Sequence, residues 1–341
     1  MRLRNTLIAS ILFLIPTGQR LIIGTTTSFL TASILIAPKE VKAESAEFYK
    51  NRGIEKFKQG DLLGAISNFN KALELNPDYE NAYNNRGIVK WNLEDYEGAL
   101  SDFNKALDLN SMFEQAYANR GNLKYHLGEY IEARSDYDKA LKINPNFTNA
   151  YVGRGVLKRK LKDYSGAISD YTRAIEIDEQ NVKAFFNRSN LNNDLGNYQE
   201  ALNDMNIALK INPNYADAYA NRGLIKGNLK DYSGEISDYN KAIKINPNLL
   251  QVYLNLGIAK VNLGNYLDAI IDLNKAIKIN PNFVDTYITR GIAKGHLENF
   301  TGAINDFNKA IKIDPNYASA FDNRGTVKRI LGDLKGACED W

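Results

Sequence analysis

Residues 80–113 read ENAYNNRGIVKWNLEDYEGALSDFNKALDLNSMF, and the arrangement of small and aromatic residues in this stretch decides the fold. Tyr83, Gly87, Leu93 and Tyr96 mark a first helix and its turn. Ala99, Phe103, Ala106 and Leu107 follow at spacings of three and four and mark a second helix. Gly87 and Ala99 fall where two helices of a hairpin come closest, and Ala106 lets a further hairpin approach. Rings such as Tyr83 and Phe103 fill the space around these contacts, so the aromatics read as core.

The pattern recurs on both sides with a period of 34 and no insertion or deletion. Glycine returns at 53, 87, 121, 155, 223, 257, 291 and 325, with Ser189 in the one remaining place. Proline returns at 77, 145, 213, 247, 281 and 315, with Ser111 and Glu179 in the gaps. A strict period of this length is the mark of a solenoid. The units are 46–79, 80–113, 114–147, 148–181, 182–215, 216–249, 250–283 and 284–317, with a partial ninth at 318–341. One hairpin cannot bury both of its apolar faces, so neighbours must stack.

Boundary residues agree with two helices per unit. Asp61, Asp95, Asp163, Asn197, Asp231, Asn265, Asn299 and Asp333 stand where a second helix needs an N-cap. Gly60, Gly128, Gly196, Gly264 and Gly332 precede the cap, where a first helix needs a left-handed end. The recurring proline ends the second helix, because it cannot continue the hydrogen-bond ladder.

These positions resemble the tetratricopeptide repeat. In the sixth unit the family pattern reads Tyr219, Gly223, Tyr232, Glu235, Tyr239, Ala242, Pro247. The resemblance covers 46–341 and belongs to a bacterial subtype with Asn-Arg-Gly-x-x-Lys, as in Asn85-Arg86-Gly87 with Lys90. It implies an all-α fold, a right-handed α-solenoid of stacked antiparallel helix pairs. It also implies a protein-binding scaffold whose concave groove is lined by first helices. Glu235 departs from the pattern by occupying an alanine position in a tight contact, which predicts a splayed hairpin. The ninth unit stops within its second helix at Trp341, which predicts either a longer native chain or an end that docks.

Arginine recurs at 52, 86, 120, 154, 188, 222, 290 and 324, and aspartate at 102, 136, 170, 204, 238, 272, 306 and 340. We expect these to pair between helices as a structural ladder, each exposed pair adding under ~1 kcal/mol. The resemblance places positions two, five, six, nine, twelve and thirteen of each unit in the groove. Position six is Asn51, Asn85, Asn119, Asn187, Asn221, Asn255 and Asn323, with Gly153 and Thr289 as exceptions. An amide both donates and accepts, so such a row can pair with a peptide backbone whatever its side chains. It resembles the asparagine ladder in the repeat domain of O-linked N-acetylglucosamine transferases, and these seven residues are the candidate peptide-binding set. Asparagine is also simply common in this chain. A second groove type, which grips chaperone C-termini, is not matched. Lys50 and Asn85 are in place, but Ile54, Gln115 and Asn119 stand where further carboxylate-binding residues belong.

Composition narrows the function. The formal charge is +3, and residues 1–43 supply five cations against Glu40, which leaves −1 for the remainder. A near-neutral body argues against nucleic acid as a partner. The run Lys158, Arg159, Lys160, Lys162 reads as a solvated patch. Cys338 is the single cysteine, and His126 and His296 lie five units apart, so a His/Cys metal site lacks ligands. No phosphate loop, nucleophile motif or cofactor site appears, and no catalytic residue is assigned.

The first 43 residues have a charged start, apolar stretches at 6–16 and 21–37, and an exit ending Val41-Lys42-Ala43. This describes a signal peptide cleaved after Ala43, or else an N-terminal membrane anchor with Arg2, Arg4 and Arg20 held inside. Either sends the repeats out of the cytoplasm, and membrane contact is expected only through this segment. The leading expectation is an exported scaffold, not an enzyme, that binds peptide segments or assembling subunits. The alternatives are a substrate-presenting region of a longer enzyme with its catalytic domain beyond Trp341, and a self-assembling stack.

Overall fold

The structure, a computed structural model, describes residues 44–341, which form one unit. The expectations placed on residues 1–43 lie outside the described residues.

Eighteen helices follow one another as nine antiparallel pairs, with no strand among the described residues. The pairs are α1 (Ala46–Lys58) with α2 (Leu62–Leu75), α3 (Glu80–Asn92) with α4 (Tyr96–Leu109), and α5 (Glu114–Leu127) with α6 (Tyr130–Ile143). Next come α7 (Thr148–Lys160) with α8 (Tyr164–Ile177), α9 (Val182–Asp194) with α10 (Tyr198–Ile211), and α11 (Ala216–Asn228) with α12 (Tyr232–Ile245). The last are α13 (Leu250–Asn262) with α14 (Tyr266–Ile279), α15 (Val284–His296) with α16 (Phe300–Ile313), and α17 (Ala318–Ile330) with α18 (Leu334–Asp340). Each pair packs on the next, and first helices of most adjacent pairs also touch, which makes an all-α solenoid.

The repeated glycines are where hairpins close. A Cβ added to Gly87 would lie 2.8 Å from the Phe103 ring, and one on Gly155 would lie 2.6 Å from the Tyr171 ring. Facing alanines such as Ala65, Ala99, Ala133 and Ala167 are fully buried. The core therefore runs as a series of small clusters along the solenoid, most of them shared between one hairpin and the next.

Helix boundaries follow local chemistry, with two differences from expectation. Asp61, Asp95, Asp163, Asp231, Asn299 and Asp333 each accept a hydrogen bond from the glycine N–H three residues on. Asn197 and Asn265 stand at the same boundary but make no such bond. Their third residues are Glu200 and Asp268, and the glycine series shows why this matters: a Cβ on Gly302 would lie 2.7 Å from Asn299 Oδ1. The acidic side chains there meet the helix N-terminal dipole instead. The second difference is the left-handed position. Gly60, Gly128, Gly196, Gly264 and Gly332 adopt φ of 77–85°, and the intervening units force Glu94, Lys162, Lys230 and Glu298 into φ of 58–64°.

The hairpin holding Glu235 is not splayed, contrary to expectation. A Cβ on Gly223 would lie 3.2 Å from Glu235 O, matching the 3.3 Å between Gly121 and Ala133 O in the third unit. The carboxylate finds room because Gly227 faces it, where a Cβ would lie 2.8 Å from Glu235 Cδ. Other units carry Phe57, Trp91, Tyr125 or Arg159 at that register.

Candidate functional site

The arginines and aspartates pair as a ladder, but not an exposed one. In seven units the arginine meets the aspartate sixteen residues later through two hydrogen bonds. Arg86 Nε donates to Asp102 Oδ2 at 2.8 Å and Nη2 to Oδ1 at 2.7 Å, and Arg120, Arg154, Arg188, Arg222, Arg290 and Arg324 repeat the arrangement with Asp136, Asp170, Asp204, Asp238, Asp306 and Asp340. Asp136 is 1% exposed and Asp238 likewise, so the weak surface-pair estimate does not apply. The motif lysine completes the clamp: Lys90 lies 2.8 Å from Asp102 and Lys226 2.8 Å from Asp238. Burial alone would raise the Asp238 carboxyl, but Arg222 and Lys226 outweigh it and hold the group below the usual carboxylate range.

A third contact was not evident from the sequence. The remaining arginine nitrogen reaches back to the preceding unit, as in Arg86 to Asn70 at 2.7 Å and Arg120 to Asn104 at 2.7 Å. Each arginine thus ties two hairpins together, and its guanidinium also lies over the ring three residues before it, as Arg86 does over Tyr83 at 5.3 Å. The series breaks in the seventh unit, where Leu256 replaces arginine and Asp272 is held by Lys260 at 2.6 Å. Arg52 has no matching aspartate, because Asn68 stands there. Apart from Arg52, these charges serve the scaffold and are consumed by it.

Half of the basic run is likewise absorbed, while Lys160 and Lys162 stay exposed. Lys158 pairs with Asp170 at 2.8 Å, and Arg159 bonds to Asp194 on the next first helix. His126 Nε2 lies 3.2 Å from Tyr96 Oη, and His296 stacks on Tyr266 at 4.6 Å. Among the described residues no group of three or more His, Cys, Asp or Glu could hold a metal ion.

The asparagines at position six take three arrangements. Asn119 Nδ2 donates to Asn84 Oδ1 at 2.9 Å, and Asn221 Nδ2 to Asn190 Oδ1 at 3.0 Å, so both reach an amide on the preceding first helix. Asn187 and Asn323 donate to the carbonyls of Lys183 and Ser319 in their own helices, and Asn255 accepts from Gln251. Asn51 and Asn85 make no side-chain hydrogen bond among the described residues. Sequence reasoning passed over Asn84 and Asn122, at positions five and nine. Asn84 is 5% exposed, and Asn122 Oδ1 accepts from Tyr137 Oη at 2.8 Å. Tyr137 is a second-helix ring that reaches between first helices to the groove, and burial pushes its phenol up, with Tyr125 and Asp136 adding to the effect.

The amides Asn84, Asn119 and Asn122 line one cavity of about 660 Å³ that spans α3, α5 and α7 and reaches Lys183 of α9. Its lining also includes Trp91, Tyr125 and His126. A second space, of about 220 Å³ between α7, α9 and α11, is bordered by the Arg159–Asp194 pair and by Asn190, Asn193 and Asn221.

Comparison with known proteins agrees with the fold. The tetratricopeptide repeat model matches residues 80–111, 148–181, 182–215, 216–249, 250–283 and 284–317, a second model of that description matches 114–147, and a TPR repeat model matches 53–94. An uncharacterized protein of Methanocaldococcus jannaschii is 46% identical over 39 residues, 11% of this chain and 45% of that relative, so the match spans less than half the relative's length. Among solved structures, a chain of the APC/C hetero-tetramer Cut9–Hcn1 is similar with a TM-score of 0.63 at 18% identity, over 83% of this chain and 56% of that one. YrrB, described as a TPR protein with an unusual peptide-binding site, gives a TM-score of 0.48 at 21% identity over 54% and 95% of the respective chains. Family models that cover well over half of the residues, in the register of the helix pairs, make this chain a member of the tetratricopeptide repeat family.

Proposed function

We propose that the repeats form a protein-interaction scaffold that holds extended segments of partner proteins in the groove lined by first helices, and that it does so outside the cytoplasm. One observation carries the groove reading. The internal bonds among Asn84, Asn119, Asn122 and Tyr137 engage one lone pair each of the Asn84 and Asn122 carbonyls and one amide hydrogen of Asn119. The Asn84 and Asn122 amide hydrogens and the Asn119 carbonyl remain, which is a donor, acceptor, donor set suited to a peptide backbone. The charged side chains of the repeat motif are spent within the scaffold, so recognition rests on amides and rings. No reaction is assigned to it.

The seven asparagines at position six, Asn51 to Asn323, are proposed groove contacts. Capture of partners from membrane and periplasmic fractions by the full chain tests this. Replacing Asn119, Asn187 and Asn221 together with Ala is expected to abolish recovery of at least one partner, and unchanged recovery rejects the set. The location is supported by the charge and apolar pattern of residues 1–43. A phosphatase reporter fused after Trp341 is expected to be active, since that enzyme folds only after export, and an inactive but intact fusion rejects export.

A further inference from the structure

The groove is not uniform, and one residue accounts for much of the difference. Position six is glycine in the fourth unit, Gly153, where most units carry asparagine. A Cβ on Gly153 would lie 2.6 Å from Tyr137 Cε1 and 3.0 Å from Asn122 Oδ1. The missing side chain therefore does two things. It lets the Tyr137 phenol come through to Asn122, and it leaves the floor of the 660 Å³ cavity without the amide that crosses the groove elsewhere.

Val152 and Val156 flank Gly153 on α7, and Ile88 of α3 adds a further apolar side chain to the same cavity lining. At the C-terminal ends of the first helices stand Trp91, Tyr125 and His126, with His126 fixed by Tyr96 and its ring 6.2 Å from that of Trp91. At the N-terminal ends stand Gln115, Asn149 and Lys183. With a rise of 1.5 Å per residue, positions two to thirteen span roughly 16 Å across the groove. No carboxylate lines the cavity, and Lys183 is its one permanently charged residue. Between α7, α9 and α11 the character changes to asparagines around a closed Arg159–Asp194 pair, with no aromatic ring.

We propose that units two to four are the anchoring segment of the groove, and that they take an extended, uncharged or acidic peptide with one bulky apolar or aromatic side chain seated over Gly153. This rests on the groove reading above and makes it specific. Packed helices lie roughly 10 Å apart, which matches about three residues of extended chain at ~3.3 Å each. About nine residues would therefore cross α3, α5 and α7, with backbone groups meeting Asn84, Asn119 and Asn122 while the anchor fills the floor. A lysine or arginine at the anchor position would be desolvated with no carboxylate to meet it.

A phage-displayed library of random nonapeptides, panned on the detergent-solubilised full chain, tests this. Enriched sequences are expected to share one Phe, Trp, Leu or Met and to lack basic residues beside it. A fluorescein-labelled nonapeptide of Ser and Asn with central Phe is then titrated against the same peptide with central Lys, and the Lys peptide is expected to bind at least tenfold more weakly. Gly153→Asn, which restores the common residue, and Val156→Glu, which places a carboxylate on the floor, should each weaken the Phe peptide at least tenfold. Leu267→Ser on the outer face of α14 should leave binding unchanged. If Gly153→Asn melts early, Val156→Glu decides alone. Enrichment of no peptide at all overturns the groove reading and this inference with it. Peptides that bind without an apolar position, or that bind Val156→Glu as well as the parent, overturn this inference and leave the groove reading standing.

Discussion

Arg120 and Asp136, sixteen residues apart, meet face to face: Nε donates to Oδ2 at 2.8 Å and Nη2 to Oδ1 at 2.7 Å, while Nη1 reaches Asn104 of the preceding hairpin at 2.7 Å. Asp136 is 1% exposed and is also held by Lys124 at 2.9 Å. One planar guanidinium thus closes its own helix pair and joins it to the previous one. In a solenoid, stability is approximately a sum of unit and interface terms, so a residue that enters both counts twice.

Arg120→Ala leaves a buried carboxylate with only Lys124, and should cost about 3 kcal/mol, at the low end for a broken buried pair. Arg120→Lys should not restore the loss, because an ammonium cannot span Asp136 and Asn104 together. Urea unfolding followed by circular dichroism measures both, and a loss under ~1 kcal/mol would return the ladder to the status of a surface pair.

The left-handed positions give a prediction of opposite sign. Glu94 and Lys162 hold φ of 62° and 64°, which other units assign to glycine. Glu94→Gly and Lys162→Gly should each stabilise by roughly 1 kcal/mol, because an L side chain in this region carries about that strain. Gly128→Ala should destabilise by a similar amount. A rise in melting temperature for the first two and a fall for the third is the expected pattern.

Gly227 and Gly295 share one register of the first helix but differ in what faces them. Nothing lies within 4 Å of a Cβ on Gly295, whereas one on Gly227 meets the Glu235 carboxylate at 2.8 Å. Gly295→Ala should therefore stabilise by about 0.5–1 kcal/mol through helix propensity. Gly227→Ala should destabilise, and should become stabilising once Glu235 is also replaced by Ala. A double-mutant cycle reads the coupling directly, and additive effects would show that Gly227 is not the compensation for Glu235.

Two carboxyls on α12 make opposite contributions as pH changes. Burial raises Glu235 above its ordinary value, so the folded state binds the extra proton and stability falls as pH rises through the Glu235 range. Glu235→Gln should therefore stabilise at pH 7, and the advantage should vanish below the ordinary glutamate value near 4.5. Asp238 is lowered, so its contribution is complete above the ordinary value of 3.8 and is lost only as pH falls further. Melting temperatures of parent and variant from pH 3 to 8 should converge at the acid end. A constant offset would place Glu235 in water.

The period of 34, the two helices per unit, the small residues at their closest approach and the left-handed ends at the five glycines are all legible in the sequence, whereas the left-handed ends at Glu94, Lys162, Lys230 and Glu298 are not. Each depends on a few neighbouring residues, and a strict period means that every unit meets the same surroundings. The pairing of arginine with aspartate was also readable. Its burial and its reach to the preceding hairpin were not, because sequence spacing does not say which way a long side chain turns between two stacked units. Tertiary structure alone revealed that Gly227 makes room for Glu235, and that Gly153 lets Tyr137 into the groove beside Asn84 and Asn122. These are contacts between helices, where a missing side chain on one element admits an unusual one from another.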